Sequence, residues 1–167
     1  MSRRAFLALG SNLGDREGFL QNAVDQLGER HGVVVSRSSR VYETEPLGPS
    51  EHAFLNAVVE IGTDLSPRAL LQMCHDCEEH AGRVRVVRWG ARTLDVDIIW
   101  MDGVQLHTPE LTIPHPEVAN RLFVLVPLAD LDRLLAEQLS EFPVPDPTEL
   151  PPTIVAVPFT LQIGARE

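Results

Sequence analysis

Lysine is absent from this chain, and all fourteen of its basic residues are arginine. The absence excludes a P-loop, because the Gly-Lys-Ser/Thr end of that motif places a lysine on the phosphates. It also excludes Schiff-base catalysis and the phosphate-binding lysine of protein kinases. The net charge of -10 argues against general nucleic-acid binding, which depends on a basic surface. We therefore expect no nucleic-acid partner.

Long apolar runs are also missing, so the sequence predicts no membrane-spanning segment. The apolar run 5–9 stops at Gly10 without a small-residue cleavage site, which argues against a signal peptide, and we expect a cytoplasmic protein. A chain of 167 residues is long enough for a single domain with a buried core. We place that core at about 4–130, followed by a proline-rich C-terminal extension at 140–167. Because no heptad pattern or large apolar face stands out, we expect a monomer.

Only two cysteines are present, Cys74 and Cys77, and their C-x-x-C spacing raises a redox and a zinc hypothesis. A redox pair needs its first cysteine near a helix N-terminus, whereas Ser66-Pro67 predicts a helix that starts about two turns earlier. The two thiols share one stripe of that helix, and the histidines that could complete a zinc site lie on other faces. The stripe favours buried, apolar thiols.

The hydrophobic periodicity predicts the order strand, helix, strand, strand, helix, strand. This order is the split βαβ, ferredoxin-like arrangement βαββαβ, an α+β fold in which both helices pack on one face of an antiparallel sheet. We expect the strand that contains Asp95 at or near the centre of that sheet. The predicted elements are strands at 4–9, 33–42, 54–62 and 93–101 and helices at 15–30 and 67–81, followed by weaker helical patterns at 117–120 and 131–139 and an edge strand at 154–157. We expect Asp15 to cap the first helix, with Leu20, Ala23, Val24 and Leu27 facing inward, and Gly82 to end the second.

Asp95 and Asp97 are separated by one residue in a segment of strand composition. Side chains alternate along a strand, so both carboxylates point to the same face and repel each other unless a cation lies between them. Mg²⁺ suits such a pair, because it takes oxygen ligands and leaves room for phosphate. An arginine cluster at 83–92 provides forked phosphate contacts nearby. The alternative is a strand with a solvated polar face and unrelated surface arginines.

A second cluster lies at 42–49, where YETEPLGP is followed by Phe54 and Asn56. A proline-held loop presents backbone donors and acceptors, an asparagine side chain supplies both, and a phenylalanine supplies a stacking face. This combination suits a flat heterocycle. The alternative is an ordinary strand connection with a phenylalanine in the core.

A third cluster combines Pro114-His115-Pro116 with Arg121 and Phe123. A histidine held between prolines is a rigid hydrogen-bond donor for phosphate, while the alternative is a purely structural turn.

The segment Gly10–Gly14 resembles a glycine loop but lacks the G-x-G-x-x-G spacing, so we interpret it as a strand-to-helix turn.

Taken together, these clusters resemble the 6-hydroxymethyl-7,8-dihydropterin pyrophosphokinase family of folate biosynthesis. The resemblance covers most of residues 5–130 in the family's order and spacing, and its most specific part is the signature RWG-x-RTLD-x-DI. The matching segments are LALGSNLGD, YETEPLGP, FLNAVVEI, GRVRVVRWGARTLDVDII and LTIPHPEVANRLFVLVPL.

The resemblance implies a Mg²⁺-dependent diphosphotransferase. In such enzymes the hydroxymethyl oxygen of the dihydropterin attacks the β-phosphorus of ATP, and AMP leaves. By motif position, Asp95 and Asp97 are similar to the pair that holds two Mg²⁺ ions on the triphosphate. Arg83 and Arg92 are similar to the residues that stabilise the transferring group.

The same resemblance assigns residues to each substrate. On the ATP side it implies Glu78, Arg85, Trp89, Arg92, Ile98, Thr112, His115 and Arg121. On the pterin side it implies Thr44, Pro46, Leu47, Phe54, Asn56, Trp89, Asp95 and Phe123. The chain departs from the family's common pattern at Glu45, Val86, Ala91 and Glu110.

Two other functions are compatible with the residues alone. One is a ferredoxin-like ligand-binding module without catalysis, because a fold does not determine a function. The other is a metal-dependent phosphodiesterase that uses the same aspartates. No residue stands out as a general base, since His115 has a suitable pKa range but the motif places it on the nucleotide.

Overall fold

The computed structural model of the chain describes residues 2–45, 52–82 and 93–164. In chain order its elements are β1 (Arg3–Ser11), α1 (Arg16–Glu29), β2 (Val33–Ser38), β3 (Tyr42–Thr44), β4 (Phe54–Thr63), α2 (Pro67–His80), β5 (Asp95–Met101), β6 (Leu106–His107), β7 (Thr112–Ile113), a 3₁₀ turn (Val118–Asn120), α3 (Leu122–Leu131), α4 (Arg133–Leu139) and β8 (Ile154–Ala156).

Within these ranges six strands form one antiparallel sheet in the order β5-β1-β4-β3-β8, and β2 pairs with the end of β4 that β3 leaves free. The strands β6 and β7 form a separate two-stranded hairpin. The α+β, antiparallel fold class is confirmed, and the predicted order of strands and helices is present except that two strands, β2 and β3, replace the single strand expected at 33–42.

The helices α1 and α2 both begin at the predicted caps. The Asp15 carboxylate accepts a hydrogen bond from the Gly18 N–H at 3.0 Å, and the Ser66 hydroxyl accepts one from the Ala69 N–H at 3.2 Å. Such caps satisfy donors that the first turn leaves without partners. The predicted helix end at Gly82 is also present, because Gly82 has a φ of 71°, which only glycine adopts without strain.

One face of the sheet packs against α1 and α2. Its core contains Leu7 and Leu9 of β1, Leu20 of α1 and both cysteines of α2. Cys74 and Cys77 are buried and free, and burial raises the pKa of both thiols, that of Cys77 to about 11. The prediction of buried thiols is therefore confirmed.

The opposite face packs against α3 and α4. Its core contains Phe6 of β1, Val58 of β4 and Ile99 of β5, together with Leu125 and Leu128 of α3. The sheet is thus the middle of three layers. No helix in the described ranges is long and apolar enough to cross a bilayer.

The structure corrects two strand predictions. The strand expected at 33–42 is interrupted after Ser38, where the Ser39 hydroxyl takes the place of a backbone partner and accepts a hydrogen bond from the Val58 N–H at 2.9 Å. The strand that contains Asp95 was expected at or near the centre, but β5 is the outer strand of the described sheet. Strand order depends on long-range pairing, which local composition does not encode.

The C-terminal segment returns to the sheet. The strand β8 pairs with β3, with Thr44 opposite Ile154, which confirms the predicted edge strand. Farther along, Leu161 enters the core beneath α1, and the Gln162 N–H donates to the Gln21 side chain at 2.9 Å. The segment beyond 140 therefore packs on the same sheet and helices as the rest of the described chain.

Candidate functional site

Asp95 and Asp97 leave the same side of β5. Val96 and Ile98 between and after them enter the core beneath α1 and α2, so the two carboxylates point to the α3 side of the sheet. Asp95 is half-buried, and Asp97 is exposed. The alternation expected for this strand is therefore present, and both acids border solvent-accessible space.

Glu78 fixes the backbone between the two aspartates. It is only 4 % exposed, and its carboxylate accepts a hydrogen bond from the Val96 N–H at 3.0 Å. Because β5 is the outer strand of the sheet that the described residues form, none of their strands pairs with that N–H on its open side. The Glu78 carboxylate therefore provides the acceptor for this backbone N–H at the strand edge, and it fixes the position of the backbone between the two aspartates.

A cavity of about 430 Å³ lies beside this strand edge. It brings together both aspartates and four of the residues predicted on the ATP side, namely Glu78, Ile98, Thr112 and His115. His75 and Glu110 also line it. Sequence reasoning missed His75, because a lone histidine on a helix carries no motif; its only signal is its position one turn before Glu78.

The donor set at this cavity fits Mg²⁺ better than a metal held entirely by protein. Within the described residues, no group of three or more His, Cys, Asp or Glu side chains is arranged to hold a metal ion. Asp95 and Asp97 supply two carboxylates on one face of the strand, and Mg²⁺ is commonly bound by one or two carboxylates plus substrate phosphates. The remaining ligands would then come from the substrate and water.

His115 is held in a defined orientation. Its N–H donates to the Ile99 carbonyl at 3.0 Å, which ties the residue to β5. Its ring Nδ1 accepts a hydrogen bond from the Glu117 N–H at 3.2 Å. Since Nδ1 accepts, the neutral ring carries its proton on Nε2, which makes Nε2 a donor for an anionic group.

A polar row crosses three adjacent strands on the same face. Asp95 of β5 lies opposite Gly10 of β1, and Gly10 lies opposite Asn56 of β4. The Asn56 amide donates to the Thr44 hydroxyl at 2.6 Å, and both side chains are buried. Asn56 is thus oriented on the sheet two strands away from the acidic pair.

Gly10 is required by this row. A Cβ atom at Gly10 would lie 2.9 Å from Asn56 Oδ1 and 3.6 Å from the ring of Phe54. Both neighbours are predicted pterin contacts, so the glycine leaves the space in which they lie. The sequence predicts Gly10 only as part of a turn, because close approach across a sheet has no local signature.

A second cavity, of about 570 Å³, lies at the N-terminal end of α3. It is lined by Thr44, Arg121 and Phe123 from the predicted site and by residues of the C-terminal segment. Phe54 and Asn56 are not among its lining residues, although alternation places them on the same face of the sheet. This cavity therefore contains Phe123 but not Phe54.

Arg121 connects the two predicted substrate sides. Its guanidinium forms an ion pair with Glu117 and lies 5.6 Å from the centroid of the Phe123 ring, which is within cation–π range. Arg121 was predicted on the ATP side and Phe123 on the pterin side. The contact places these two residues side by side at the start of α3.

Six predicted site residues lie outside the described ranges, and so does the arginine cluster as a whole. They are Pro46, Leu47, Arg83, Arg85, Trp89 and Arg92.

The chain matches the family described as 7,8-dihydro-6-hydroxymethylpterin-pyrophosphokinase (HPPK) over residues 6–133. A 2-amino-4-hydroxy-6-hydroxymethyldihydropteridine pyrophosphokinase of Bacillus subtilis is 46% identical over 132 residues, which are 78% of this chain and 79% of that protein. The protein of the same name from Methylorubrum extorquens is 44% identical over 129 residues, 77% of this chain and 82% of that protein. The one from Pseudomonas aeruginosa is 38% identical over 160 residues, 95% of this chain and 94% of that protein.

Solved structures share the fold. An HPPK-DHPS protein of Plasmodium falciparum superposes with a TM-score of 0.59 at 16% identity. The match covers 78% of this chain but only 40% of that longer one. At this identity the likeness supports the fold alone.

Proposed function

The chain belongs to the 7,8-dihydro-6-hydroxymethylpterin-pyrophosphokinase family, and we propose that one face of its sheet carries both substrates of that reaction. The enzyme is a diphosphotransferase of folate biosynthesis, which transfers pyrophosphate from ATP to the hydroxymethyl group of 6-hydroxymethyl-7,8-dihydropterin. The proposed arrangement rests on one observation. Asp95 and Asp97 point in the same direction, beside the cavity that four of the predicted ATP-side residues line.

Asp95 and Asp97 are the proposed ligands of Mg²⁺, with two ions as the family resemblance implies. When bound, Mg²⁺ neutralises negative charge on the triphosphate. The chain's own contribution is rigid placement, because Glu78 holds Val96 through a buried hydrogen bond. This hydrogen bond gives Glu78 a positioning role in addition to the nucleotide contact that the motif implies.

The nucleotide lies, in this proposal, in the cavity beside β5. Ile98 and Thr112 border the cavity, and His115 presents Nε2–H as a donor for phosphate. Arg121, which lines the second cavity and pairs with Glu117, is an ATP-side contact by motif position. By motif position alone, Arg85, Trp89 and Arg92 are further ATP-side contacts, and Arg83 and Arg92 stabilise the transferring group.

The pterin lies toward β3 and β4. Asn56, oriented by Thr44, offers an amide edge to the ring, and Phe54 and Phe123 offer aromatic faces. By motif position alone, Pro46, Leu47 and Trp89 complete this side. In this proposal Asp95 contacts both substrates, because it lines the cavity assigned to the nucleotide and lies in the same cross-strand row as Asn56.

Catalysis in this arrangement depends on positioning and charge neutralisation. The hydroxymethyl oxygen loses its proton to solvent and bonds to the β-phosphorus, the bond from that phosphorus to the α,β-bridging oxygen breaks, and AMP leaves. Such transfers need little covalent help from protein.

We further propose that the enzyme works as a monomer in the cytoplasm, where ATP is available. Light scattering of the purified chain tests the monomer.

One product assay tests the function. The chain is mixed with Mg²⁺, ATP and 6-hydroxymethyl-7,8-dihydropterin, and the released nucleotide is identified. We expect AMP only when the pterin is present. ADP would indicate an ordinary kinase, AMP without pterin would indicate hydrolysis, and no turnover would leave a binding module.

Substitution of the acidic pair tests the site. Removing one charged oxygen by Asp97→Asn, at nearly unchanged size, should lower kcat/KM about 10³-fold, or about 4 kcal/mol, because preorganised charge at such sites contributes this much. Asp102→Asn is the matched control, since Asp102 is an exposed acid just beyond the same strand. A folded Asp97→Asn variant with the activity of the control would refute the metal assignment.

A further inference from the structure

The C-terminal segment lines the second cavity, although it lies beyond the residues that match the family as a whole. The match ends at residue 133, whereas Phe142, Thr153 and Ile154 all border the cavity of about 570 Å³. They do so beside Thr44 and Phe123, two residues assigned to the pterin side. These residues form an additional wall of that cavity.

Backbone hydrogen bonds tie the wall to β3, which bears Thr44, and to the 3₁₀ turn just before α3, which bears Phe123. On one side, Thr44 lies opposite Ile154 in the β3–β8 pair, and the Glu45 N–H donates to the Thr153 carbonyl at 3.3 Å. On the other side, the Glu141 N–H donates to the Ala119 carbonyl of the 3₁₀ turn at 2.9 Å. The wall is therefore anchored at both ends.

The proline-rich stretch between these anchors is also fixed in place. Val144 enters the core under α3, and the Arg133 guanidinium donates to the carbonyls of Val144 and Pro145 at 3.2 and 3.1 Å. Five prolines between 143 and 152 restrict the backbone further. A segment held in this way presents its side chains to the cavity without a large ordering cost on binding.

Phe142 is the wall residue that a ligand would cover. Ile154 is already buried against Tyr42, whereas Phe142, which also lines the cavity, is 37 % exposed. An aromatic ring left open in a concave site is typical of a ligand contact. Phe142 thus offers a further aromatic surface in the cavity that Phe123 borders.

The charges of the lining favour the uncharged heterocycle over the triphosphate. Two carboxylates, Glu45 and Glu117, line the cavity against one guanidinium, that of Arg121, which already pairs with Glu117. An excess of negative charge repels a polyphosphate but not a neutral ring.

We propose that the C-terminal segment forms a wall of the pterin site and that Phe142 is a substrate-contacting residue that sets affinity for the dihydropterin. The proposal rests on the proposed function, because Thr44 and Phe123 define the pterin side. It extends the binding site to residues that the family match does not include.

Steady-state kinetics of the full chain test the proposal. With the pterin varied at saturating Mg²⁺ and ATP, Phe142→Ala should raise KM for the pterin about five- to tenfold, as expected for losing part of a buried aromatic contact. Phe142→Leu should raise it about two- to threefold, because some apolar area remains. KM for ATP and kcat should change less than about twofold, since Phe142 does not line the cavity beside β5 that is assigned to the nucleotide.

Val155→Ala is the matched control, because Val155 lies in β8, is 56 % exposed and does not line the cavity. An unchanged pterin KM in Phe142→Ala, or an equal rise in the KM of both substrates, would overturn the proposal. If the wild-type chain instead releases no AMP with pterin, the proposed function fails, and the kinetic comparison does not arise.

A measurement on the unaltered chain does not depend on the folding of any variant. In an NMR titration, the Phe142 ring signals should shift when the dihydropterin is added to the chain saturated with a nonhydrolysable ATP analogue. They should not shift with the analogue alone. Pterin binding without a shift of the Phe142 signals would overturn the proposal.

Discussion

The two faces of the sheet use the same strands in different ways. Beneath α1 and α2, the face is apolar along its length, as Ala5, Leu7 and Leu9 of β1 illustrate. On the α3 side, β1 carries residues of three kinds: Arg4 is charged, Phe6 is buried in the core, and Gly10 belongs to the polar row. One face therefore provides a continuous apolar core, whereas the other changes along each strand from a charged end through an apolar middle to the polar row.

The partner strand β4 shows the same division. Glu60 lies at the charged end beside Arg4, Val58 lies in the core, and Asn56 lies in the polar row. The candidate site thus begins where the α3-side core ends. Because the apolar face is continuous behind it, the sheet supports buried polar groups such as Asn56 without losing its main core.

The largest expected effect on stability comes from the face that packs against α1 and α2. Leu20 of α1 is fully buried there, and Leu20→Ala should lower the free energy of unfolding by about 3 kcal/mol through lost burial and the cavity left behind. Urea unfolding followed by circular dichroism measures this loss. KM for both substrates should stay unchanged while the variant is folded, because Leu20 contacts neither cavity.

Leu134→Ala is the control, since Leu134 of α4 is 68 % exposed and should cost little. A change in KM for either substrate in Leu20→Ala would contradict the separation of the two faces.

The next largest effect is expected at Gly10, on the other face. The added methyl of Gly10→Ala would lie 2.9 Å from Asn56 Oδ1, and Asn56 is held in place by Thr44. Displacing the amide should raise KM for the pterin about tenfold, equivalent to about 1.4 kcal/mol, because an oriented hydrogen bond is lost. KM for ATP should change little. Initial rates with each substrate varied measure both constants.

Gly28→Ala is the matched control, because Gly28 lies inside α1 and has open space where the Cβ would be. It should raise the free energy of unfolding by about 0.5–1 kcal/mol through better helix propensity. An unchanged pterin KM in Gly10→Ala would show that the polar row does not hold the pterin.

The sequence predicts the face that packs against α1 and α2 more fully than the face on the α3 side. The inward residues of α1 follow from a 3.6-residue period, and Asp15 and Ser66 cap their helices as expected. The alternation of Asp95 and Asp97 also follows from local pattern. Each of these features depends on neighbours in the sequence, which is why composition and spacing reveal them.

The remaining features depend on long-range contacts. The position of β5 at the sheet edge, and hence the bond from Val96 to Glu78, follows from strand order. Gly10 approaches Asn56 across the sheet, and Phe142 reaches its cavity through a proline-rich path without periodicity. No local signal distinguishes such residues from those of ordinary turns and loops, so the roles of Gly10 and Phe142 appear only in three dimensions.

The charged end of the α3 side is where the smallest effect is expected. The Glu60 carboxylate accepts hydrogen bonds from Arg37 and Ser36 and pairs with Arg4 at 3.1 Å. These partners, with the hydrogen bond from Arg37 first, hold the pKa of Glu60 below its ordinary value. Both arginine side chains are about half exposed, at 45% and 51%, so solvent weakens the pairs.

A carboxylate whose pKa is lowered by folding stabilises the protein above its unfolded pKa, about 4.3 for glutamate, and this stabilisation is lost as pH falls through the folded value. The free energy of unfolding should therefore fall below about pH 4.3, with less than about 1 kcal/mol of the loss due to Glu60. Urea unfolding at pH 7, 5 and 3 should show a smaller acid loss in Glu60→Gln than in Glu79→Gln, an exposed control on α2. Equal acid losses in the two variants would mean that the charged end of this face adds nothing to stability, and that its apolar middle alone holds α3 and α4 on the sheet.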